Sequence, residues 1–125
     1  MARFLWVCLG GAVGTGARYL LSMWLLRVAG VGFPWATLTV NVVGSFFLGF
    51  LMQAGMNPER PVLHLALTTG VLGGFTTYPT FNYETLRLFQ EDAWLTGVVY
   101  LGTTVAGCLA AGALGLLSGR LLTGG

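Results

Sequence analysis

The sequence predicts an all-α integral membrane protein with four transmembrane helices per subunit. The third helix is read as broken, and two subunits as pairing antiparallel in a dual-topology dimer. Three observations carry the membrane reading. Of the 125 residues, 55% are apolar and 20 more are Gly, with a mean hydropathy of +0.78. Charged residues are only 8% of the chain, against about 25% in a typical soluble domain, so they cannot coat a globule of this size. The apolar stretches are long enough to cross a hydrocarbon core of ~30 Å, which takes about 20 helical residues. Four crossings at that length use about 80 residues, leaving short connections and no soluble domain. A soluble enzyme, a secreted disulfide scaffold and a disordered chain are excluded as leading readings. Residues 1–125 form one transmembrane subunit, too small to enclose a pore or carrier site easily on its own, so an oligomer is expected.

The spans follow in order. Span 1 covers about 4–28 and carries Gly10 and Gly14, a small-xxx-small pair that lets another backbone approach closely. Its Arg3, apolar run and small residues mimic a signal peptide, but the apolar run resumes after Arg18, which favours a retained span. Pro34 suits the first turn of span 2, about 34–54. The polar stretch Gly55 to Pro61 is the clearest loop. Span 3 covers about 62–89 with an interruption at 73–80, and span 4 covers about 93–122, rich in Gly and Ala for packing against helices.

All six cations are Arg, and a net charge of +2 is too small and too dispersed for nucleic-acid binding. The partner implied instead is the lipid bilayer. Cys8 and Cys108 lie in apolar stretches with no CxxC partner or nearby His, and read as buried small hydrophobes rather than metal or disulfide ligands. Arg distribution normally sets orientation. With the N-terminus inside, Arg3, Arg60 and Arg120 fall inside and Arg27 and Arg87 outside, a three-to-two split that is nearly no bias. Such a chain is expected to insert both ways round and to pair as an antiparallel dimer, the alternative being a single orientation set by other factors.

The segment GGFTTYPT is not expected to be an ordinary helical turn. Two glycines weaken it, the threonines crowd it, and Pro79 removes a donor and clashes with the preceding turn. Non-helical backbone at membrane depth is tolerated only where protein or an aqueous cavity shelters it. Broken spans use freed carbonyls to hold cations and helix N-termini to attract anions. The first site hypothesis therefore falls here, against the blander reading of a Pro kink repaired by threonine hydroxyls.

Polar residues recur at helical spacing. Thr37, Asn41 and Ser45 share one face of span 2, and Tyr100, Thr104 and Cys108 one face of span 4. An Asn at mid-span is costly in lipid without partners; its amide suits an anion, or else bridges helices. Hydroxyl and thiol donors on span 4 extend such a path, or bond between helices. Tyr78 and Phe81 present aromatic edges, which stabilise a small anion without a full charge; ordinary aromatic packing is the alternative. Arg18 and Glu84 are charges within the membrane and need partners or water. Arg18 gives a vestibule an anion-attracting potential or snorkels, and Glu84 with Arg87 reads as an i, i+3 surface pair. His64, Glu91 and Asp92 lie near span ends and read as solvated. No carboxylate dyad, activated nucleophile or phosphate-binding glycine loop stands out, so nothing argues for an enzyme.

These segments resemble the Fluc/CrcB family of bacterial fluoride channels across almost the whole chain. The matching stretches are GGAVGTGARYLLS, PWATLTVNVVGSFFLG and TTGVLGGFTTYPTFNYET, followed by the small-residue fourth span. The resemblance implies a homodimer of four-helix channel subunits, inverted relative to each other, in the bacterial plasma (inner) membrane. It implies two fluoride pores and passive export of F⁻ from the cytoplasm. It also implies a structural Na⁺ at the dimer centre, held by the main-chain carbonyls of Gly73 and Thr76. By position it assigns Asn41, Tyr78 and Phe81 to the pore, Thr80 to its polar track and Arg18 to its vestibule. Thr37, Thr104 and Cys108 join them as candidates, Cys108 as a weaker donor where related chains carry serine. The familiar motif TTFSTF reads TTYPTF here, so Tyr78 adds a hydroxyl and Pro79 removes one together with a backbone donor. Two other classes remain open: a small proton-coupled multidrug-type exporter, which would want a carboxylate where span 1 has Arg18, and a membrane assembly subunit, which leaves the interrupted span unexplained.

Overall fold

A computed structural model describes residues 1–30, 32–54 and 59–124, and all their regular structure is helical. Helix α1 runs Ala2–Ala29, α2 Trp35–Ala54 and α6 Trp94–Thr123. These three are long and apolar enough to cross a membrane. At 1.5 Å per residue α6 is about 45 Å long, more than the ~30 Å hydrocarbon core demands. Between them the chain is subdivided into α3, Pro61–Leu65, a π-helical stretch Ala66–Leu72, α4, Gly73–Phe75, and α5, Tyr78–Gln90. Most of the stretch Gly55 to Pro61, expected as a loop, lies outside the described residues.

Helices α2 and α6 pack along their length, and α1 packs on the π-helical stretch and α4. Both pairings depend on missing side chains. A Cβ on Gly115 would collide with the Phe46 carbonyl, and one on Gly14 with the Val71 carbonyl. Close backbone approach through small residues is how membrane helices gain packing energy when lipid is as apolar as leucine. Gly10 and Gly14 are the buried residues of α1, and they face Gly70 and Val71. The connection from α5 to α6 is tight: Asp92 adopts φ 62°, a left-handed conformation that Asp tolerates better than most residues.

The interior is small. Tyr100 and Val40 are its fully buried large side chains, joined by Phe81, Leu72, Thr37, Thr85 and Thr104. Large apolar residues such as Phe4, Trp24, Leu95 and Leu121 point outward, which is the distribution expected of a protein solvated by hydrocarbon.

The helical path breaks at two residues. Thr76 has φ −85°, ψ 159° and Thr77 φ −153°, ψ 116°, both extended. The glycines are not part of the break, because Gly73 and Gly74 sit in the last helical turn before it. Nor does Pro79 interrupt a helix: it lies in the first turn of α5, where no N–H is required and its fixed φ suits helix entry. The segment 73–80 is thus mostly helical, and the interruption is shorter than its composition predicts.

A second correction concerns the cysteines. Cys8 is exposed on α1 and Cys108 is half-buried, so neither is a buried core residue.

Candidate functional site

The two extended residues are held from another helix. The Asn41 side chain accepts from the Thr77 N–H at 2.8 Å and donates Nδ2–H to the Thr77 carbonyl at 2.9 Å. Asn41 therefore stands in for a neighbouring strand. It meets both main-chain polar groups of one extended residue, and leaving such groups buried and unmet would be costly. Gly44, one turn further along α2, leaves room for the methyl group of Thr76.

Each side of the break is capped. The Thr76 N–H and hydroxyl both donate to the Leu72 carbonyl, at 3.0 and 2.9 Å. The Arg18 Nε–H donates to the Gly74 carbonyl at 3.1 Å, with the Thr15 hydroxyl on the same oxygen at 3.5 Å. A guanidinium at the C-terminal end of a helix meets its partial negative charge, so Arg18 is engaged with the backbone of α4. The Thr77 hydroxyl caps α5, accepting from the Thr80 N–H at 3.4 Å and donating to the Thr80 hydroxyl at 3.0 Å.

These caps leave the carbonyls of Gly73 and Thr76 without their helical partners. The N–H that would continue the helix onto Gly73 belongs to Thr77 and goes to Asn41. The one that would reach Thr76 belongs to Thr80 and goes to the Thr77 hydroxyl. Main-chain oxygens freed in this way are hard donors of the kind that suits alkali and alkaline-earth cations. Among the described residues no cluster of three or more His, Cys, Asp or Glu could hold a metal.

Two cavities flank the break. The first, about 370 Å³, is lined by Asn41, Tyr78, Phe81, Thr104 and Cys108 along with Gly73 and Thr76. Thr104 is 5% exposed, and its hydroxyl is a buried polar atom with no hydrogen-bond partner. One N–H of the Asn41 amide is spent on Thr77, leaving the second. The rings of Tyr78 and Phe81 meet edge-on with centroids 5.8 Å apart.

The second cavity, about 700 Å³, contains Thr37, Thr80, Glu84 and Arg87. Tyr100, fully buried, touches residues of both linings. Its ring packs edge-on against Phe81 at 5.1 Å and Phe33 at 5.4 Å, and its phenol donates to the Glu84 carboxylate at 3.0 Å.

The predicted site residues are thus divided. Asn41, Tyr78, Phe81, Thr104, Cys108, Gly73 and Thr76 gather on one cavity, and Thr37 and Thr80 on the other. Arg18 lines neither and binds the Gly74 carbonyl instead. Glu84 does not pair with Arg87, whose partner is Glu91 at 3.0 Å in an exposed i, i+4 bridge. Tyr100 was legible only as one member of the Tyr100–Thr104–Cys108 row; nothing local announces its bond to Glu84 sixteen residues earlier.

Membrane-length apolar helices around a cavity of amide, hydroxyl and ring-edge groups define the class, a small multi-pass membrane protein. The family described as CrcB-like protein, Camphor Resistance (CrcB), matches residues 5–116. The chain belongs to that family. It is 53% identical to a protein of Anaeromyxobacter dehalogenans over 99% of this chain and all of the relative. It is 47% identical to one of Sorangium cellulosum over the whole of both chains. It is 43% identical to one of Geobacter metallireducens over 93% of this chain and 95% of the relative. All three relatives are named fluoride-specific ion channel FluC.

Proposed function

We propose that this protein is a fluoride-selective ion channel that lets F⁻ leave the cytoplasm passively across the bacterial inner membrane. The observation that carries the reading is the unpartnered, buried hydroxyl of Thr104 on a cavity shared with Asn41, Phe81 and Tyr78. A buried O–H without an acceptor is unfavourable in a resting fold. Its partner is then an acceptor that comes and goes, and a small hard anion is the simplest.

Fluoride holds its water tightly, so a conducting path must replace that water with donors. The second N–H of Asn41 and the Thr104 hydroxyl supply dipoles, and the positive edges of the Phe81 and Tyr78 rings supply weaker contacts. Cys108 extends the row by one turn as a weak donor. None of these groups carries a formal charge, which lets the ion leave as well as enter. Thr37 and Thr80 continue the polar lining in the wider cavity. Arg18, holding the Gly74 carbonyl, contributes a positive potential near the break and not a direct ligand. The relatives' shared name supports the same reading, and the small multidrug-type alternative has no such support.

In this reading residues 61–90 make a fourth crossing, broken at Thr76 and Thr77, and two copies of opposite orientation associate as a homodimer. The exposed faces of Gly73 and Tyr78 then meet the second copy, sheltering the unwound backbone from lipid. The freed carbonyls of Gly73 and Thr76, doubled by the partner, are the groups that would hold a central Na⁺; its charge would raise the local positive potential.

The test is efflux from liposomes containing the purified protein. Release of fluoride but not chloride is the expected result, with loss of stability or flux when Na⁺ is withheld. Equal release of both anions, or of neither, would count against the assignment.

A further inference from the structure

We infer that Cys108 is a modification site through which a small thiol-directed electrophile closes the ion path. The proposal rests on the channel reading above. Cys108 lies one turn beyond Thr104 on α6, and both line the smaller cavity. The cysteine is half-buried and belongs to the lining of that cavity. Thr104 is the independent observation that makes this cavity a place for a ligand: the residue lines the cavity, and its hydroxyl is buried with no partner in the fold. A cavity built to exchange an acceptor at Thr104 admits small polar solutes to the next turn. Asn41 and Ser45 of α2 line the same cavity, so anything added to the sulfur takes up space that those groups share. Cys8, by contrast, is on the outer surface of α1 and lines neither cavity.

The chemistry needs a reagent with a leaving group on sulfur, and an alkyl methanethiosulfonate is such a class. The Cys108 thiol gives its proton to water, and the thiolate attacks the sulfenyl sulfur of methyl methanethiosulfonate. A new S–S bond forms to the SCH₃ group, the S–SO₂ bond breaks, and methanesulfinate leaves with the electron pair. The added group narrows a cavity of about 370 Å³ at the level of Thr104 and Asn41.

The experiment treats reconstituted full-length protein with methyl methanethiosulfonate. Fluoride efflux is compared with that of the same sample untreated, and the mass gained at each cysteine is read in parallel. The original chain and Cys8→Ser are expected to lose flux by at least about tenfold, as when a narrow conduction path is filled. Cys108→Ser is expected to keep its own untreated rate, and dithiothreitol to restore flux in the other two. Inhibition of Cys108→Ser to the same degree, or labelling of Cys108 with no change in flux, overturns the proposal. So does a folded protein in which Cys108 gains no mass while the denatured protein does. If Cys108 is labelled but no untreated sample conducts fluoride, the modification site stands and the channel reading fails.

Discussion

Asn41 and Thr77 are joined by two hydrogen bonds, of 2.8 and 2.9 Å, in which a side-chain amide matches the main-chain N–H and carbonyl of one residue, acceptor to donor and donor to acceptor. The bonds link α2 to the interruption between α4 and α5. They explain how two extended residues persist between helices without any strand to pair with. The same amide lines the smaller cavity, so one residue both stabilises the unwound backbone and offers a donor to the path.

Removing that amide should weaken the fold as well as the flux. Asn41→Ala leaves the Thr77 N–H and carbonyl unmet, each costing about 1–3 kcal/mol. Thermal unfolding in detergent should show the loss. Asn41→Asp keeps an acceptor for the Thr77 N–H but sets a carboxylate against the Thr77 carbonyl and the passing anion, so fluoride efflux should fall sharply. An unchanged melting curve for Asn41→Ala would show that the interruption is held by other contacts, and unchanged efflux for Asn41→Asp would remove Asn41 from the path.

Thr104 should separate stability from conduction. Its hydroxyl has no partner in the fold, so Thr104→Val should leave stability equal or higher by about 1 kcal/mol, since an unmet polar group is replaced by an apolar one of like shape. Fluoride efflux should nevertheless drop, and Thr104→Ser should retain it. Full efflux in Thr104→Val would mean the hydroxyl is not used by the ion.

Tyr100 and Glu84 should behave as one unit. A hydrogen bond to a charged acceptor contributes about 1.5–3 kcal/mol, so Tyr100→Phe and Glu84→Gln should not be additive. A double-mutant cycle on unfolding should return a coupling of about 1 kcal/mol or more. A coupling of zero would deny the bond any energetic role.

Two glycines that differ in the space around them test the packing of α1. Gly14→Ala drives a methyl group into the Val71 carbonyl, and overpacking of this kind costs about 1–3 kcal/mol. Gly16→Ala meets nothing within 4 Å and should be neutral or stabilising by about 0.5–1 kcal/mol. Equal melting temperatures for the two variants would show that α1 does not approach the π-helical stretch so closely.

Much of this molecule is written in local properties of the chain. Sparse charge and long apolar stretches make water a poor solvent for α1, α2 and α6 whatever they pack against, and Gly10 and Gly14 mark a face that must admit another backbone. The polar rows Thr37–Asn41–Ser45 and Tyr100–Thr104–Cys108 follow from helical periodicity alone. What composition could not settle is which polar group meets which. It placed the interruption across 73–80, yet only Thr76 and Thr77 leave helical geometry, because Asn41 arrives from α2 to satisfy Thr77 and Pro79 is accepted at a helix start. Arg18 binds the Gly74 carbonyl, and Glu84 takes the Tyr100 phenol while Arg87 turns to Glu91. Hydropathy and helix propensity are summed over neighbours in the chain, whereas a hydrogen bond forms only where two helices bring donor and acceptor within about 3 Å, and that distance is set by packing.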